Sequence, residues 1–354
     1  MKIGILTFHC VNNCGAVLQA YALQECLLQL GHDVFIIDYC PDYLLQTTKV
    51  NLKEYRYIRF AKDWVKFIIN AKGRLKFSYF RKRYLRLYAL DLDARNHSFD
   101  AFILGSDQIW NKQIIGCDKI FWGDFLAANN IKLLSYAASC GSWNFADTDI
   151  AVLKNRLNTF SSISVREDFL AIELQRILNK NIEWVLDPTL LLDRSKFEEI
   201  LVPPKELKPY IFIYEVTPER KTIDIAEQIV QQTDKTIQII RCGTIKKQNG
   251  NLKTINNVGP LDFLGYIKNA FCVVTTSFHG SALSIAFNRN FYTIRISKSQ
   301  DERVRSLLSM LNLSDRLIDK KSICRYTDID YTNVNQILQK QKERSEQFLK
   351  KGLE

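Results

Sequence analysis

The chain has 354 residues and a net charge of +11, and this length exceeds what one hydrophobic core usually supports, so we expect about two domains. Hydrophobic residues make up 47% and charged residues 25%, as is typical of a folded globular protein. No apolar run approaches the roughly 18 residues that a membrane span needs. The nine cysteines include no Cys-x-x-Cys pair, which excludes a recognisable disulfide framework or structural zinc motif, and we expect no metal.

The N-terminal segment predicts a βαβ unit. Residues 2–8 form an apolar strand, residues 15–30 have apolar positions at helical spacing, and residues 33–39 form a second strand. The turn after the first strand contains Cys10 and Cys14, which have no metal-ligand spacing, and it lacks the G-x-G-x-x-G of a dinucleotide site. The first apolar run is too short for a secretory signal, so we expect a cytoplasmic protein.

A basic segment follows. Between residues 53 and 86 there are twelve basic and two acidic residues, with aromatic residues interleaved, in a helix-compatible pattern. Such a segment suits an anionic membrane surface or an anionic lipid-linked substrate. It equally suits a solvated helix whose aromatic side chains pack inward. Nucleic acid is not expected, because no nucleic-acid-binding module accompanies the charge.

Polar residues follow the next predicted strands. The strand at residues 100–104 leads into Gly105 to Asn111, a dense polar stretch with one Trp that is typical of a sugar-binding rim. A strand at residues 132–138 completes the first domain. We expect the second domain to begin after residue 148, with a helix at 151–158 and a strand at 161–165. Arg166 then follows a strand. We expect it either to bind an anion or to form a surface ion pair with Glu167 or Asp168.

Strands and helices alternate again to about residue 330, which predicts a second parallel α/β sheet across a cleft from the first. Within it, residues 275–281 link an apolar strand to a helix, and His279 stands at this junction. A helix N-terminus attracts anions, and a histidine there can transfer protons near neutral pH. A histidine satisfied by local hydrogen bonds is the alternative. Residues 331–354 predict a polar helix that crosses back onto the first domain.

Six sequence stretches carry a family resemblance: Asn13–Leu23, Gly105–Asn111, Ser164–Glu167, Asp187–Thr189, Gly259–Leu264 and Ser277–Gly280. In this order, across residues 1–317, they resemble the polysaccharide pyruvyl transferase family. The resemblance implies an α/β fold with two Rossmann-like domains facing a cleft, similar to GT-B glycosyltransferases. Residues 1–148 are then the acceptor domain with a basic insertion at about 50–90, and residues 149–330 the donor domain.

The resemblance also implies a reaction. A pyruvyl group moves from phosphoenolpyruvate to a sugar of a surface polysaccharide or its lipid-linked precursor, forming a ketal, with phosphoenolpyruvate as co-substrate and no cofactor. His279 is then the acid, Asp107 the better candidate base, and Gln108 orients the acceptor. The remaining expected donor-binding residues are Arg166, Ser277, Gly280, Ser281, Arg295 and Arg303, and the remaining acceptor-binding residues are Asn13, Gly15, Gln19, Trp110 and Asn111.

One position departs from the family pattern. Ketal-forming members carry Arg-Leu-His-Gly where this chain has Ser277-Phe278-His279-Gly280. A donor-site cation is therefore missing at Ser277, and Arg295, Lys298 or Arg303 must supply it from neighbouring segments. Loss of one charge-assisted pair costs about 2–5 kcal/mol when nothing replaces it.

Two other functions stay open at this stage. A glycosyltransferase with a nucleotide-sugar donor could use the same scaffold, because fold does not determine function. A non-catalytic protein that binds a membrane surface or nucleic acid through residues 53–86 is a third reading, but it leaves the polar loops unexplained. For the enzyme, we expect peripheral contact with the inner face of the membrane through the basic segment.

Overall fold

The structure is a computed structural model that describes residues 1–45, 70–89, 98–126, 131–141, 150–206, 208–243 and 247–354, without side-chain detail at 247–249 and 298–300. Residues 53–69 of the basic segment lie outside the described part. Two seven-stranded sheets organise the described residues. None of the helices built by these residues combines the length and apolar composition that a membrane crossing needs.

The first sheet is parallel throughout, in the order β3-β2-β1-β4-β5-β6-β7. Its strands are mostly buried apolar runs, as expected for a sheet covered on both faces. They are β1 Lys2–Leu6, β2 Asp33–Ile37, β3 Leu87–Tyr88, β4 Ala101–Leu104, β5 Lys132–Ala138, β6 Ser162–Val165 and β7 Glu183–Trp184.

The second sheet has the order β10-β11-β9-β8-β12-β13-β14, and only its edge strand β10 is antiparallel to its neighbour. Its strands are β8 Tyr210–Tyr214, β9 Gln238–Cys242, β10 Lys247–Asn249, β11 Leu252–Ile255, β12 Cys272–Thr275, β13 Asn290–Ile294 and β14 Leu317–Ile318.

Helices connect the strands on both sheet faces. They are α1 Cys14–Gln29, α2 Asp42–Leu45, α3 Ala71–Tyr84, α4 Lys112–Ile115, α5 Ile150–Asn158, α6 Asp168–Leu178, α7 Pro188–Leu191, α8 Arg194–Ile200, α9 Arg220–Gln232, α10 Pro260–Asn269, α11 Phe278–Ala286, α12 Lys298–Met310 and α13 Tyr331–Leu353. Short 3-10 turns occupy Ile120–Trp122, Asp124–Leu126 and Ser314–Arg316.

The domain boundary expected at residues 148 and 149 is wrong. β6 pairs with β5 and β7 pairs with β6, so both strands extend the first sheet, and the second sheet begins only at β8. The sequence pattern cannot reveal this, because another βα repeat looks the same whether it extends one sheet or begins the next. Arg166, at the end of β6, therefore belongs to the first domain.

The two domains share a continuous hydrophobic core. Buried side chains of β1 and β5 belong to the same cluster as those of β8 and β12, and α1 packs against α7 and α10. The terminal helix α13 packs back onto β5, where a Cβ on Gly352 would overlap Leu134. Ser345 accepts a hydrogen bond from the backbone N–H of Leu186 at 3.0 Å, which fixes the same helix to the segment between the sheets.

Candidate active site

A cavity of about 290 Å³ lies between the two domains, next to the carboxyl ends of their central strands. This is the edge at which open α/β sheets bind ligands. The first domain contributes the residues that follow β1 and β4, and the second contributes those that follow β8 and β12 together with one residue of α12. The lining residues are Asn13, Asp107, Gln108, Asn111, Gln113, Ile114, Val216, Thr217, Thr276, Ser277, Phe278, His279 and Arg303.

The second-domain wall is the first turn of α11. Ser277 is the N-cap, and its hydroxyl accepts a hydrogen bond from the Gly280 N–H at 3.3 Å. The helix therefore begins at Phe278, and His279 lies within its first turn rather than in a loop that extends to Ser281. Phe278 and His279 line the cavity and occupy the first turn, where a helix leaves its N–H groups without intrahelical partners and its dipole is positive.

The expectation that the backbone of Gly280 and Ser281 binds the donor phosphate is wrong. The Gly280 N–H is taken by the Ser277 hydroxyl and the Ser281 N–H by the Ser277 carbonyl at 3.1 Å. A Cβ on Gly280 would overlap Thr275, so glycine is needed there for close helix–strand packing. The Ser281 hydroxyl is buried and bonds to Thr293 at 2.6 Å. Both residues support the helix from behind.

Arg166 is buried beneath the cavity within a group of carboxylates. Its Nη1 donates to Asp187 Oδ2 at 2.7 Å, its Nη2 donates to Asp107 Oδ1 at 3.3 Å, and Glu167 lies 3.9 Å from its Nε. The ring of Phe278 covers the guanidinium at 4.4 Å. Arg166 is therefore neither the surface ion pair nor the substrate clamp considered from the sequence. It neutralises buried carboxylates and positions Asp107.

The buried carboxylates have opposite pKa shifts. Burial raises the pKa of Glu167 to about 7, although Arg166 and a hydrogen bond from the Ser139 hydroxyl oppose this. Burial would also raise the pKa of Asp187, but His279 and Arg166 outweigh it and hold that pKa far below its usual range. Asp187 is thus an anion, which leaves its negative charge beside His279.

His279 is held between the two domains. Its Nε2 lies 3.7 Å from Asp187 Oδ2, which is an ion-pair distance slightly beyond a hydrogen bond. This Nε2 is buried and has no hydrogen-bond partner among the described residues. On the other side of the ring, a Cβ on Gly15 would overlap the imidazole. Gly15 therefore permits the close approach of α1 and does not face the acceptor directly.

Arg303 is the cation that lines the cavity. Its Nε is buried without a hydrogen-bond partner in the described part of the chain, and burial together with the neighbouring Arg166 lowers its pKa. Arg295, which follows β13, does not line the cavity; it is exposed and pairs with Asp319 at 3.3 Å. The side chain of Lys298 lies outside the described residues.

The first-domain wall is polar and internally bonded. Asn13 caps α1 by accepting from the Ala16 N–H at 3.2 Å, and Asn111 Nδ2 donates to Gln108 Oε1 at 2.9 Å. Asp107 Oδ1 accepts from the Gln108 N–H at 2.9 Å as well as from Arg166. Amide and carboxylate groups on one wall can exchange hydrogen bonds with sugar hydroxyls.

Two expected acceptor residues lie elsewhere. Trp110 is buried, stacks on Trp122 with ring centroids 5.4 Å apart, and donates its indole N–H to the Phe121 carbonyl at 3.2 Å, so it offers no ring face to a sugar. Gln19 is fully buried on α1 and donates to Thr7 Oγ1 at 2.8 Å. Polar sequence neighbours suggested a rim for Trp110, and the family resemblance suggested the role of Gln19, but both side chains are buried in the core.

Asp187 belongs to the site, although no role was predicted for it from the sequence. It belongs to a stretch that carried the family resemblance, and it caps α7 by accepting from the Thr189 N–H at 3.0 Å. The sequence order Asp-Pro-Thr is typical of a helix start. It gives no indication that the second carboxylate oxygen of Asp187 reaches Arg166 and His279.

Comparison with solved structures supports the fold. A UDP-GlcNAc 2-epimerase from Neisseria meningitidis bound to UDP-GlcNAc matches with a TM-score of 0.50 and 9% identity, covering 99% of this chain and 94% of that one. UGT89C1 from Arabidopsis thaliana matches with a TM-score of 0.51 and 10% identity, covering 100% of this chain and 99% of that one. At these identities the likeness concerns the GT-B-like fold alone. No curated protein matches the chain.

The family comparison covers most of the chain. The sequence model of the family described as "Polysaccharide pyruvyl transferase" matches residues 13–298 of the chain. This range contains the cavity walls from Asn13 through His279 and excludes Arg303. With the matched range and the GT-B-like fold in agreement, the chain belongs to the polysaccharide pyruvyl transferase family.

Proposed function

We propose that this protein transfers a pyruvyl group from phosphoenolpyruvate to two hydroxyls of a sugar in a surface polysaccharide or its lipid-linked precursor, forming a cyclic ketal. The observation that carries the proposal is the convergence of His279, Arg303 and Asp107 on one cavity in a chain of this family. An acid, a cation and a carboxylate are the three kinds of group that this reaction requires.

The reaction balances as follows. A proton adds to C3 of phosphoenolpyruvate, and C2 becomes electrophilic and forms a bond to the first sugar oxygen as that hydroxyl loses its proton. The C2–O bond to phosphate then breaks, inorganic phosphate leaves with its electron pair, and the second hydroxyl attacks C2. One of the two hydroxyl protons offsets the proton gained at C3, and the other leaves with phosphate.

Each role follows from the surroundings of the residue. We assign the proton transfer to C3 to His279, because it lines the cavity and the ionised Asp187 lies beside its Nε2. Arg303 and the N-terminus of α11 balance the donor's carboxylate and phosphate. Asp107, held by Arg166, receives a proton from the acceptor hydroxyl, while Gln108, Asn111 and Asn13 orient the sugar.

A nucleotide-sugar glycosyltransferase is the competing function, since the fold is shared with such enzymes. The cavity of about 290 Å³ lies at the small end of ligand pockets, which favours a three-carbon donor over a nucleotide. Thermal unfolding distinguishes the two. We expect millimolar phosphoenolpyruvate to raise the melting temperature and UDP-sugars to leave it unchanged. A shift with UDP-sugars alone would overturn the proposal.

We further propose peripheral contact with anionic lipid, through the described part of the basic segment. On α3, Leu75 and Tyr79 are exposed, 68% and 56% respectively, and Lys72, Lys82 and Arg83 are exposed beside them. On the opposite face of the helix, the side chains of Phe77 and Phe80 are buried and pack inward. Exposed apolar side chains among basic ones favour an anionic lipid surface, where a lipid-linked acceptor would be located.

A further inference from the structure

Three potential metal ligands, His9, Asp38 and Cys40, meet at the carboxyl ends of two adjacent strands, with their ligand atoms within 4.8 Å of one another. His9 and Cys10 follow β1, and Asp38 and Cys40 follow β2, its parallel neighbour. The parallel pairing brings residues about 30 positions apart to the same edge of the sheet. This cluster has no part in the proposed reaction, because none of its members lines the cavity.

The distances within the cluster match a tetrahedral metal site. His9 Nε2 lies 2.9 Å from Asp38 Oδ1, Cys40 Sγ lies 3.3 Å from that oxygen, and the same sulfur lies 3.7 Å from His9 Nε2. Zinc bonds of about 2.0–2.3 Å in tetrahedral geometry keep ligand atoms roughly 3.3–3.8 Å apart. Only the His9–Asp38 pair needs to widen by a few tenths of an ångström.

The surroundings orient the ligands. His9 Nδ1 lies 3.2 Å from the Thr7 carbonyl and donates to it, whereas Nε2 donates to Asp38 Oδ1 and would exchange that proton for a metal ion on binding. His9 is fully buried, whereas Asp38 and Cys40 are exposed, so the site is anchored on one side and accessible from the other. Metal-binding histidines are usually held in this way by a backbone carbonyl.

A neighbouring thiol and a positive charge flank the three ligands. The thiol of Cys10 interacts with that of Cys40, although it is not among the three groups whose ligand atoms lie within 4.8 Å of one another. Arg81, on α3, interacts electrostatically with both cysteines and with Asp38, and its Nη1 donates to Asn12 Oδ1 at 3.1 Å. One thiolate and one carboxylate balance the two positive charges of a divalent ion.

We propose that His9, Asp38 and Cys40 bind a Zn²⁺ ion. Thiolate and imidazole ligands together select zinc over magnesium, calcium or manganese. Three protein ligands leave one tetrahedral position, which water or the neighbouring Cys10 thiol fills. The metal would fix the segment from His9 to Asn13, and thereby the asparagine that lines the acceptor wall of the cavity.

Cobalt binding tests the site on the full-length protein after chelator treatment under reducing conditions. We expect one equivalent of Co²⁺ to produce thiolate charge-transfer bands with the intense visible bands of a tetrahedral ion, and Zn²⁺ to remove them. Cys40→Ser and Asp38→Asn change exposed positions, so the fold is retained, and each should weaken Co²⁺ binding about tenfold or more. Cys117→Ser, at another exposed cysteine, is the matched control and should bind like the wild type.

Three results would overturn the proposal. One is the absence of charge-transfer bands at stoichiometric Co²⁺. Another is unchanged bands in both Cys40→Ser and Asp38→Asn, which would place the metal elsewhere. The third is a Cys10–Cys40 disulfide, detected as the loss of two alkylatable thiols in protein kept under reducing conditions, because it would remove the Cys40 thiolate from the site.

Discussion

His279 Nε2 lies 3.7 Å from Asp187 Oδ2, and the same carboxylate oxygen accepts the hydrogen bond from Arg166 at 2.7 Å. One buried anion thus joins the proposed acid, on the second domain, to the arginine that holds Asp107, on the first. The proposed acid and base are coupled through three contacts, because Arg166 in turn donates to Asp107 at 3.3 Å.

Replacement of Asp187 by Asn should destabilise the protein by about 3–5 kcal/mol at neutral pH, because the buried guanidinium of Arg166 loses one of the carboxylates that neutralise its charge. The pKa of Asp187 is lowered in the folded state, so its stabilising effect is present above the unfolded value of about 4 and decreases as the pH falls below it. Urea unfolding at pH 7 and at decreasing pH below 4 measures this. Asp224→Asn, on the surface of α9, is the control. A difference between wild type and Asp187→Asn that does not change with pH would contradict the assignment.

Replacement of His279 by Ala or Gln should lower transfer by roughly 10²–10⁴-fold, because neither side chain donates a proton to C3. The melting temperature should stay within a few degrees of wild type, since Nε2 makes no hydrogen bond to the described residues. Initial rates of phosphate release with acceptor present, together with thermal unfolding, provide both readouts. Collapse of the fold in both variants would show instead that the histidine is structural.

Replacement of Gly15 by Ala should lower both stability and activity, because the added methyl group overlaps the imidazole of His279. The loss of stability should largely disappear when His279 is also Ala, which removes the overlapping ring. A double-mutant cycle in the free energy of unfolding measures this coupling, which we expect to exceed about 1 kcal/mol. Additive effects would mean that Gly15 and His279 are not in contact.

Replacement of Arg303 by Gln should weaken phosphoenolpyruvate binding by at least about 30-fold, corresponding to the loss of a charge-assisted pair worth about 2 kcal/mol or more. Arg295→Gln is the matched control, because it removes an arginine that pairs with Asp319 outside the cavity. Calorimetric titration of both variants with phosphoenolpyruvate decides which arginine replaces the cation missing at Ser277. Equal losses in both variants would indicate a general charge effect.

Replacement of Lys82 and Arg83 by Ser should reduce binding to vesicles that contain anionic lipid, and raised salt should reduce wild-type binding. The double change leaves Arg81 in contact with Asn12 and therefore leaves the packing of α3 unchanged. Lys340→Ser with Lys351→Ser, on exposed positions of α13, removes the same charge elsewhere. Vesicle cosedimentation should separate the two double variants, and equal binding would leave α3 a solvated helix.

The sequence was sufficient for the elements and the fold, but not for the sheet that each strand joins. The apolar strand at 132–138 matches the structure residue for residue, and the helix at 151–158 differs from it by one residue, because buried parallel strands and amphipathic helices have distinct periods. Sheet membership depends on long-range pairing, which leaves no local signal, and β6 and β7 were therefore placed in the wrong domain.

The cavity was predicted in part. Asn13, Asp107 and His279 line it because residues just after parallel strands converge at one sheet edge. Side-chain direction is not encoded locally in the same way, so Trp110 appeared exposed in a polar stretch yet stacks on Trp122 in the core. Asp187 was not predicted as a site residue for a related reason. One of its carboxylate oxygens caps α7, and the partner of the other oxygen depends on tertiary contacts.

The fate of labelled phosphoenolpyruvate tests the central claim most directly. The enzyme is incubated with phosphoenolpyruvate carrying ¹³C at C3 and a panel of free and lipid-linked oligosaccharides, in parallel with UDP-sugars. We predict a ¹³C-labelled ketal methyl group on an oligosaccharide, formed with one equivalent of inorganic phosphate and absent with His279→Ala. Label that remains in phosphoenolpyruvate while a UDP-sugar is consumed and UDP is released would contradict the account.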